Sequence, residues 1–338
     1  MSTPRPLSWD VLHLDARQEV ERICDRLRAT LARVLKKRGL IVAISGGVDS
    51  SVCAALAVRA VGVERVLALV LPERDSADES SVRGRLLARQ LGLEFLEQDI
   101  APTLDALGCY RWRDEAVRRA VPEYAPGWRM KIVVAGGLEG RINHFNLIAQ
   151  SPEGERREVR LGLRDYLQIV AATSFKQRVR KTLEYFHADR LNYAVVGTPN
   201  RLEYDQGFFV KNGDGSADVK PIAHLYKSQV YALAEYLDLP EVIRTAAPTT
   251  DTYSLPQGQD EFYFALPYRE MDLSLWALNH GLPAAELAHV LGLTERQAQH
   301  IYDDIRAKRQ TTRYLHRPPV LLDEVTEAGL AALDDGSR

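Results

Sequence analysis

Between residues 41 and 51 the chain reads Ile-Val-Ala-Ile-Ser-Gly-Gly-Val-Asp-Ser-Ser, a β-branched apolar run that breaks into a glycine turn. The residue types fit one kind of chemistry, the holding of an anion. An apolar run of this kind is a buried parallel strand. At Ser45, Gly46 and Gly47 the missing side chains let backbone N–H groups approach a ligand closely. Asp49, Ser50 and Ser51 follow, and Val52 to Ala60 is a run of small, helix-compatible residues. Strand, glycine turn, hydroxyls and helix N-terminus together make a cradle for phosphate. No lysine closes the loop, so it is not the G-x-x-x-x-G-K-[ST] type.

The loop reads as one that holds the pyrophosphate of ATP in enzymes splitting it into AMP and pyrophosphate. A tight turn with Asp49 or Ser50 as a helix cap would explain one of those residues, but not both glycines, Ser45 and the repeated hydroxyls together. Asp49 pointing at phosphate needs a cation between them, and Mg²⁺ shared by one or two carboxylates and phosphate oxygens supplies it. A second carboxylate is therefore expected at a neighbouring strand end. In doubly wound sheets ligands lie beyond the carboxyl ends of the strands. The run Leu191 to Gly197 delivers Thr198 and Glu203 there, making Glu203 the candidate second Mg²⁺ ligand and Thr198 a nucleotide contact. Lys227 and Lys308, surface lysines by default, would in such a site offset the charge developing on departing pyrophosphate.

The elements that must position these residues follow from hydrophobic periodicity. Ala16 to Arg38 carries Val20, Ile23, Leu27, Leu31 and Val34 at helical spacing. Arg65 to Leu71 is a second buried strand, Asp78 to Leu91 a helix, and Leu93 to Ile100 a third strand. This alternation predicts an α/β fold with a doubly wound parallel sheet. Residues 101–165 interrupt that order. Ala101 to Ala125 reads as helical or irregular, and Asn143–Ala149, Pro152–Gly154 and Glu158–Leu161 read as an inserted β-hairpin, either a surface decoration, an oligomer contact or a substrate lid. A helix resumes over Tyr166 to Phe186, and Leu225 to Leu237 is another. Residues 248–330 form an extension with two helices near Leu273 and Thr294. Met1 to Asp10 is expected to be a loose arm and 334–338 a frayed end.

Bulk composition limits the partners. The 338 residues are 46% hydrophobic and 27% charged, with 44 basic and 46 acidic side chains and a net charge of −2. Such a balance gives no drive toward nucleic acid or anionic membrane. Three cysteines without metal-ligand spacing, and no signal-peptide or membrane-length apolar run, point to a cytoplasmic protein.

Taken in order, the loop, Gly197-Thr198, Asn200, Glu203, Lys211-Asn212-Gly213-Asp214, Asp218, Pro221 and Leu225-Tyr226-Lys227 resemble the NAD synthetase family. Thr249 with Asp251, Gln259-Asp260-Glu261 and Lys308-Arg309 extend the resemblance. It runs from about Glu19 to Pro319, minus the insertion. It implies a nucleotide alpha-hydrolase-like, Rossmann-like sheet over 15–330, in a homodimer. It also implies adenylation of the deamido-NAD carboxylate by ATP, followed by displacement of AMP by ammonia. By position, Ser45, Gly46, Gly47, Asp49, Ser50, Ser51, Thr198, Lys227 and Thr249 would contact ATP. Asp49 and Glu203 would bind Mg²⁺, and Arg178, Lys211, Asp218 and Lys308 would face the acceptor. Three departures lie on the acceptor side: Ser174 to Arg180 differs from the family's Asn…Ala-Arg-x-Arg, Ala307 stands where histidine is usual, and the insertion is long. A ligase of the same fold acting on another carboxylate is therefore the alternative. Sulfur transfer to tRNA or a small molecule is a further one; it would need a catalytic cysteine, whereas Cys53 on the early helix reads as a core residue. No domain-length segment is left for a glutaminase, so ammonia would come from solution or from a separate glutamine amidotransferase.

Overall fold

The computed structural model describes residues 6–135, 144–249, 252–258, 263–264 and 266–323. Helix α1 (Ala16–Ala29) continues through a π-helical turn to Leu35 and ends at Lys36 in left-handed conformation. It is followed by β1 (Leu40–Ala43), α2 (Val48–Val61), β2 (Val66–Val70), α3 (Asp78–Gln90) and β3 (Glu94–Glu97). Helices α4 (Ala101–Ala106) and α5 (Cys109–Ala120) lead to strands β4 (Arg129–Ala135), β5 (His144–Gln150) and β6 (Arg156–Arg160). The long α6 (Leu163–Leu191) then returns the chain to β7 (Ala194–Val195).

Four parallel strands pair in the order β3-β2-β1-β7. Although β1 is apolar throughout, its side chains divide by the period-2 rule. Leu40 and Val42 pack with α1, α2 and α8 (Lys227–Tyr236), whereas Ile41 packs with α4, α5 and α6. Helices thus cover both faces, which is why the strand run carries no polar alternation. Each of the fully buried leucines and isoleucines in these two layers contributes roughly 1.5–3 kcal/mol. The doubly wound α/β reading holds. Because β2 and β3 lie on one side of β1 and β7 on the other, strand order reverses at the carboxyl end of β1. A crevice opens at such a point.

The inserted region is larger than a hairpin. Strand β4 pairs antiparallel with β5 from Arg129↔Gln150 through Val133↔Asn146, and β5 with β6, giving a three-stranded sheet. Its inner residues Met130, Ile132, Leu147 and Ala149 bury against Ala116, Val117 and Ile169 of α5 and α6. Two more expectations need correction. The chain from Pro6 onward is no loose arm: Leu7 and Leu12 are buried in the core of the C-terminal helices, and the Leu12 carbonyl accepts from Gln229 Nε2 at 3.2 Å. The fourth sheet strand is only two residues long: Val196 N still donates to the Ile41 carbonyl of β1 at 2.9 Å, but Val196 bridges to Val219 and Gly197 N donates to the Val219 carbonyl at 2.8 Å.

After β7 come α7 (Arg201–Gln206), α8, α9 (Glu241–Arg244), α10 (Tyr268–Asn279), α11 (Ala284–Leu291) and α12 (Glu295–Thr312). The extension therefore carries α10, α11 and α12 where two helices were expected. Residues 334–338 lie outside the described residues, as do Asn143, Asp251 and Gln259–Glu261.

Candidate active site

The loop after β1 is fixed from behind. Gly46 has φ +79°, and a Cβ there would stand 2.2 Å from the Ser80 carbonyl oxygen; its own carbonyl accepts from Arg83 Nε at 3.1 Å. Only glycine fits where the loop leans on α3. Gly47 is different. A Cβ there would meet nothing tighter than Ser45 Oγ at 3.4 Å, so its bareness opens the cleft side. The Ser45 and Ser50 hydroxyls lie 3.1 Å apart, and both residues line the cleft. Ser51 does not. It is fully buried and its hydroxyl donates to the Gly47 carbonyl at 2.8 Å, which ties the turn to α2.

Asp49, in the first turn of α2, joins two other segments. Its carboxylate forms an ion pair with Lys227, the first residue of α8, which is 2% exposed. Its Oδ1 accepts from Asn200 Nδ2 at 3.1 Å. The same Asn200 caps α7, its Oδ1 accepting from Leu202 N and Glu203 N, while Glu203 Oε2 accepts from Asn200 N at 3.0 Å. One asparagine therefore orients both carboxylates. Burial and then the Asp49 charge push Glu203 up to about 8, with Lys227 working against the shift. Burial alone would lower the Lys227 ammonium, but Asp49 and Glu203 outweigh it and hold the group above its usual value. Burial and the neighbouring carboxylate thus oppose charge on Glu203, and the Lys227 ammonium offsets them in part; carboxylates are the donor type that a magnesium ion shares with phosphate oxygens.

Lys227 is held by the C-terminal extension. Asp272 of α10 accepts from the backbone N–H groups of Lys227 at 3.1 Å and Ser228 at 2.7 Å, capping α8. Burial pushes Asp272 up to about 6, against the pull of these donors. A cap supplied by another helix, 45 residues away, leaves no local sequence signature.

A cleft of about 460 Å³ runs outward from the loop, within the size range of small-molecule sites. Thr198 and Thr249 line it along with Ser45, Gly47, Asp49, Ser50, Glu203 and Lys227. The four acceptor candidates are not among its lining residues. Arg178 Nε donates to the Lys211 carbonyl at 3.2 Å, and Lys211 Nζ to the Tyr314 carbonyl at 3.1 Å, so these two are tied to each other and to the C-terminal segment. Asp218 sits apart, its Oδ2 accepting from Val195 N at 2.7 Å where it secures β7. Lys308 donates to Asp304 and to the carbonyl of Tyr263, itself a lining residue. Burial lowers the Lys308 ammonium, with Asp304 opposing.

Periodicity gave no sign of a buried ionic cluster on the α6 side. Lys176 Nζ donates to Glu73 Oε1 at 2.9 Å, Asp75 Oδ2 at 2.5 Å and the Thr252 carbonyl at 3.1 Å. Asp75 also pairs with Arg113 of α5, and Tyr110 donates to Glu73 at 2.8 Å. Next to it, Arg180 donates to the Leu71 carbonyl at 3.1 Å and to Ser76 Oγ at 3.3 Å. Leu71, Ser76 and Thr252 all line the cleft. A lysine on a helix reads as solvated until its partners, 101 and 103 residues away, are known.

The family model for NAD synthase matches residues 19–137 and 155–315. The chain belongs to the NAD synthase family. Within it, similarity extends over whole chains. The NH(3)-dependent NAD(+) synthetase of Rhizobium meliloti is 58% identical over 95% of this chain and 96% of its own length. That of Mesorhizobium japonicum is 56% identical over 94% and 100%. Among solved structures, the NAD+ synthetase of Burkholderia pseudomallei is 25% identical, with a TM-score of 0.55 over 91% of this chain and 92% of that one. NMN synthetase from Francisella tularensis, 20% identical with a TM-score of 0.64, shares the fold. The NAD synthase match omits residues 138–154, which include β5.

Proposed function

We propose that the protein is an ammonia-dependent NAD synthetase: an ATP-dependent amide-forming ligase that adenylates the carboxylate of deamido-NAD, releases pyrophosphate, and lets ammonia displace AMP. The observation that carries this reading is the Asp49–Lys227–Asn200–Glu203 cluster beside the glycine loop, at the point where strand order reverses. The relatives named for this reaction, at 56–58% identity, favour it over a ligase acting on another carboxylate. Sulfur transfer is disfavoured by the cysteines. Cys24, Cys53 and Cys109 are all buried, and Cys53, fully enclosed, has its thiol pushed well above the ordinary range by burial and then by Asp49 and Glu203. A thiol in that state is no nucleophile.

In this reading the loop amides and the Ser45 and Ser50 hydroxyls hold the ATP phosphates, with Thr198 and Thr249 as further nucleotide contacts. Gly46 and Ser51 shape the loop that does so. Asp49 and Glu203 would hold Mg²⁺, which when bound neutralises phosphate charge. Lys227, kept charged, lies where pyrophosphate gathers negative charge as it leaves. Arg178, Lys211, Asp218 and Lys308 serve the acceptor side, directly or by shaping its rim. The chemistry needs positioning and charge neutralisation, with ammonia itself as nucleophile. Ammonia arrives free or from a separate amidotransferase. A homodimer is supported by Leu163, Leu167 and Phe186, apolar side chains that α6 leaves exposed. No helix among the described residues is long and apolar enough to cross a membrane.

The test is product stoichiometry. With ATP, Mg²⁺, deamido-NAD and ammonium, NAD, AMP and pyrophosphate are expected in equal amounts, and glutamine in place of ammonium should yield no NAD. Absence of NAD with ammonium present would refute the reading.

A further inference from the structure

In the inserted sheet, ordered β4-β5-β6, β4 is an edge strand, and an edge leaves backbone groups in need of partners. A segment 125 residues further along the chain supplies them. The Met130 carbonyl accepts from Leu255 N at 3.1 Å, and Met130 N donates to Ser254 Oγ at 2.8 Å. Two residues on, the Ile132 carbonyl accepts from Gln257 Nε2. Alternate residues of a paired strand turn their backbone groups to the same edge. Met130 and Ile132 therefore present one row, and residues 254–257 run along it. Lys131 Nζ adds a bond to the Pro256 carbonyl at 3.1 Å.

The same segment borders the cleft. Ala246, Pro248, Thr249, Thr252 and Tyr253 line it. Tyr253 is also 5% exposed and packs in the cluster that holds Met130, Ile132 and Leu147 of the sheet with Ile169 of α6. Gln257 is buried as well. The ends are fixed. Tyr231 Oη donates to the Ala246 carbonyl at 3.3 Å, Lys176 Nζ to that of Thr252 at 3.1 Å, and Thr249 bridges to Gly258. A stretch of cleft wall without helix or long strand is thus fastened to the inserted sheet.

We propose that the inserted sheet is the platform that holds residues 246–249 and 252–258 ready for ATP, with Ser254 and Gln257 as positioning residues. The proposal rests on the synthetase reading in placing ATP against Thr249. Irregular segments that border ligand sites open easily. A ligand that must first order its site binds more weakly, in proportion to the fraction of time the site is closed. Here the ordering is done beforehand, by an edge strand. Strand β5, which pairs with β4 on its other side, lies in the stretch that the NAD synthase match omits. The platform is therefore partly built outside the common family pattern, and the insertion acts on the cleft by holding one of its walls.

Hydrogen exchange and direct titration with Mg-ATP, on full-length Ser254→Ala, Gln257→Ala, their double variant and Ser254→Thr, test this. Losing one partner of a buried backbone group weakens closure about tenfold, so amides of 252–258 should exchange about tenfold faster in each single alanine variant. Amides of β1 and β2 should keep their wild-type protection. In the double variant the Kd for Mg-ATP and the KM for ATP should rise about tenfold as the closed fraction falls, with kcat at saturating ATP within about twofold of the wild type. Ser254→Thr keeps the hydroxyl and should behave as the wild type does. If the double variant unfolds, the single variants carry the test, with a smaller rise in Kd of about threefold. Unchanged exchange at 252–258 would overturn the proposal, and so would faster exchange with unchanged affinity for ATP. A wild type that binds Mg-ATP but forms no NAD would instead refute the synthetase reading, with exchange and titration still deciding this one.

Discussion

Replacing Asp49 by asparagine is expected to lower kcat for NAD formation by about 10³-fold or more while leaving the fold in place. The change is isosteric, so α2 and the loop keep their shape. What it removes is charge. Lys227, 2% exposed, loses the carboxylate with which it is paired, and the candidate cation site loses one of its two acidic side chains. Removing a single preorganised group that stabilises transition-state charge costs about 10²–10³ in kcat, and here the substitution disturbs two. Glu203→Gln is the companion variant, since Asn200 links it to Asp49. Activity within tenfold of wild type in Asp49→Asn, with folding verified by circular dichroism, would contradict this assignment.

The second large effect concerns stability. Lys176→Met keeps the length of the side chain but leaves Glu73 and Asp75, whose side chains are 0% and 4% exposed, without their shared ammonium. Breaking a buried pair by removing one partner costs about 3–5 kcal/mol, to be read from denaturant unfolding. The pH dependence distinguishes this cause from a simple packing loss. In the wild type, burial would raise the Asp75 carboxyl, but Lys176 and Arg113 outweigh it and hold it below the usual value. A depressed carboxyl contributes stability that is present above its unfolded value near 3.9 and is lost as pH falls through the folded one. In the variant the buried Asp75 carboxylate lacks the ammonium and gains from protonation. The gap between the two proteins should therefore narrow as pH falls toward 4. A constant gap would show that packing, not charge, is at work. The same substitution loosens Thr252 from α6, so KM for ATP should rise in whatever fraction remains folded.

How far the sequence reveals this molecule depends on distance along the chain. The glycine loop is legible because strand, turn and helix N-terminus are contiguous and each obeys a local rule. Glu203 is legible because β7 and its following turn point to the same edge. That Lys227 meets Asp49 across 178 residues is not a local fact. Neither is the capping of α8 by Asp272, nor the link that Asn200 makes between two carboxylates. Strand β4 escaped because Trp128 and the glycines after Ala135 mask a short alternating run; its pairing with β5 is what makes it a strand. The N-terminal segment reads as loose because its two prolines are local signals, while the burial of Leu7 and Leu12 depends on helices some 260 residues later. On the acceptor side the resemblance names Arg178, Lys211, Asp218 and Lys308, but contacts alone show that Asp218 braces a strand, that Arg178 and Lys211 are tied to one another and to the C-terminal segment, and that Lys308 holds the carbonyl of the cleft-lining Tyr263.

The most direct measurement of the central claim is isotope exchange. With Mg²⁺, ATP and deamido-NAD but no ammonia, labelled pyrophosphate should enter ATP, because adenylation is reversible until the nucleophile arrives. Exchange should require deamido-NAD and vanish in Asp49→Asn. No exchange with deamido-NAD, or exchange supported equally by unrelated carboxylic acids, would contradict the account.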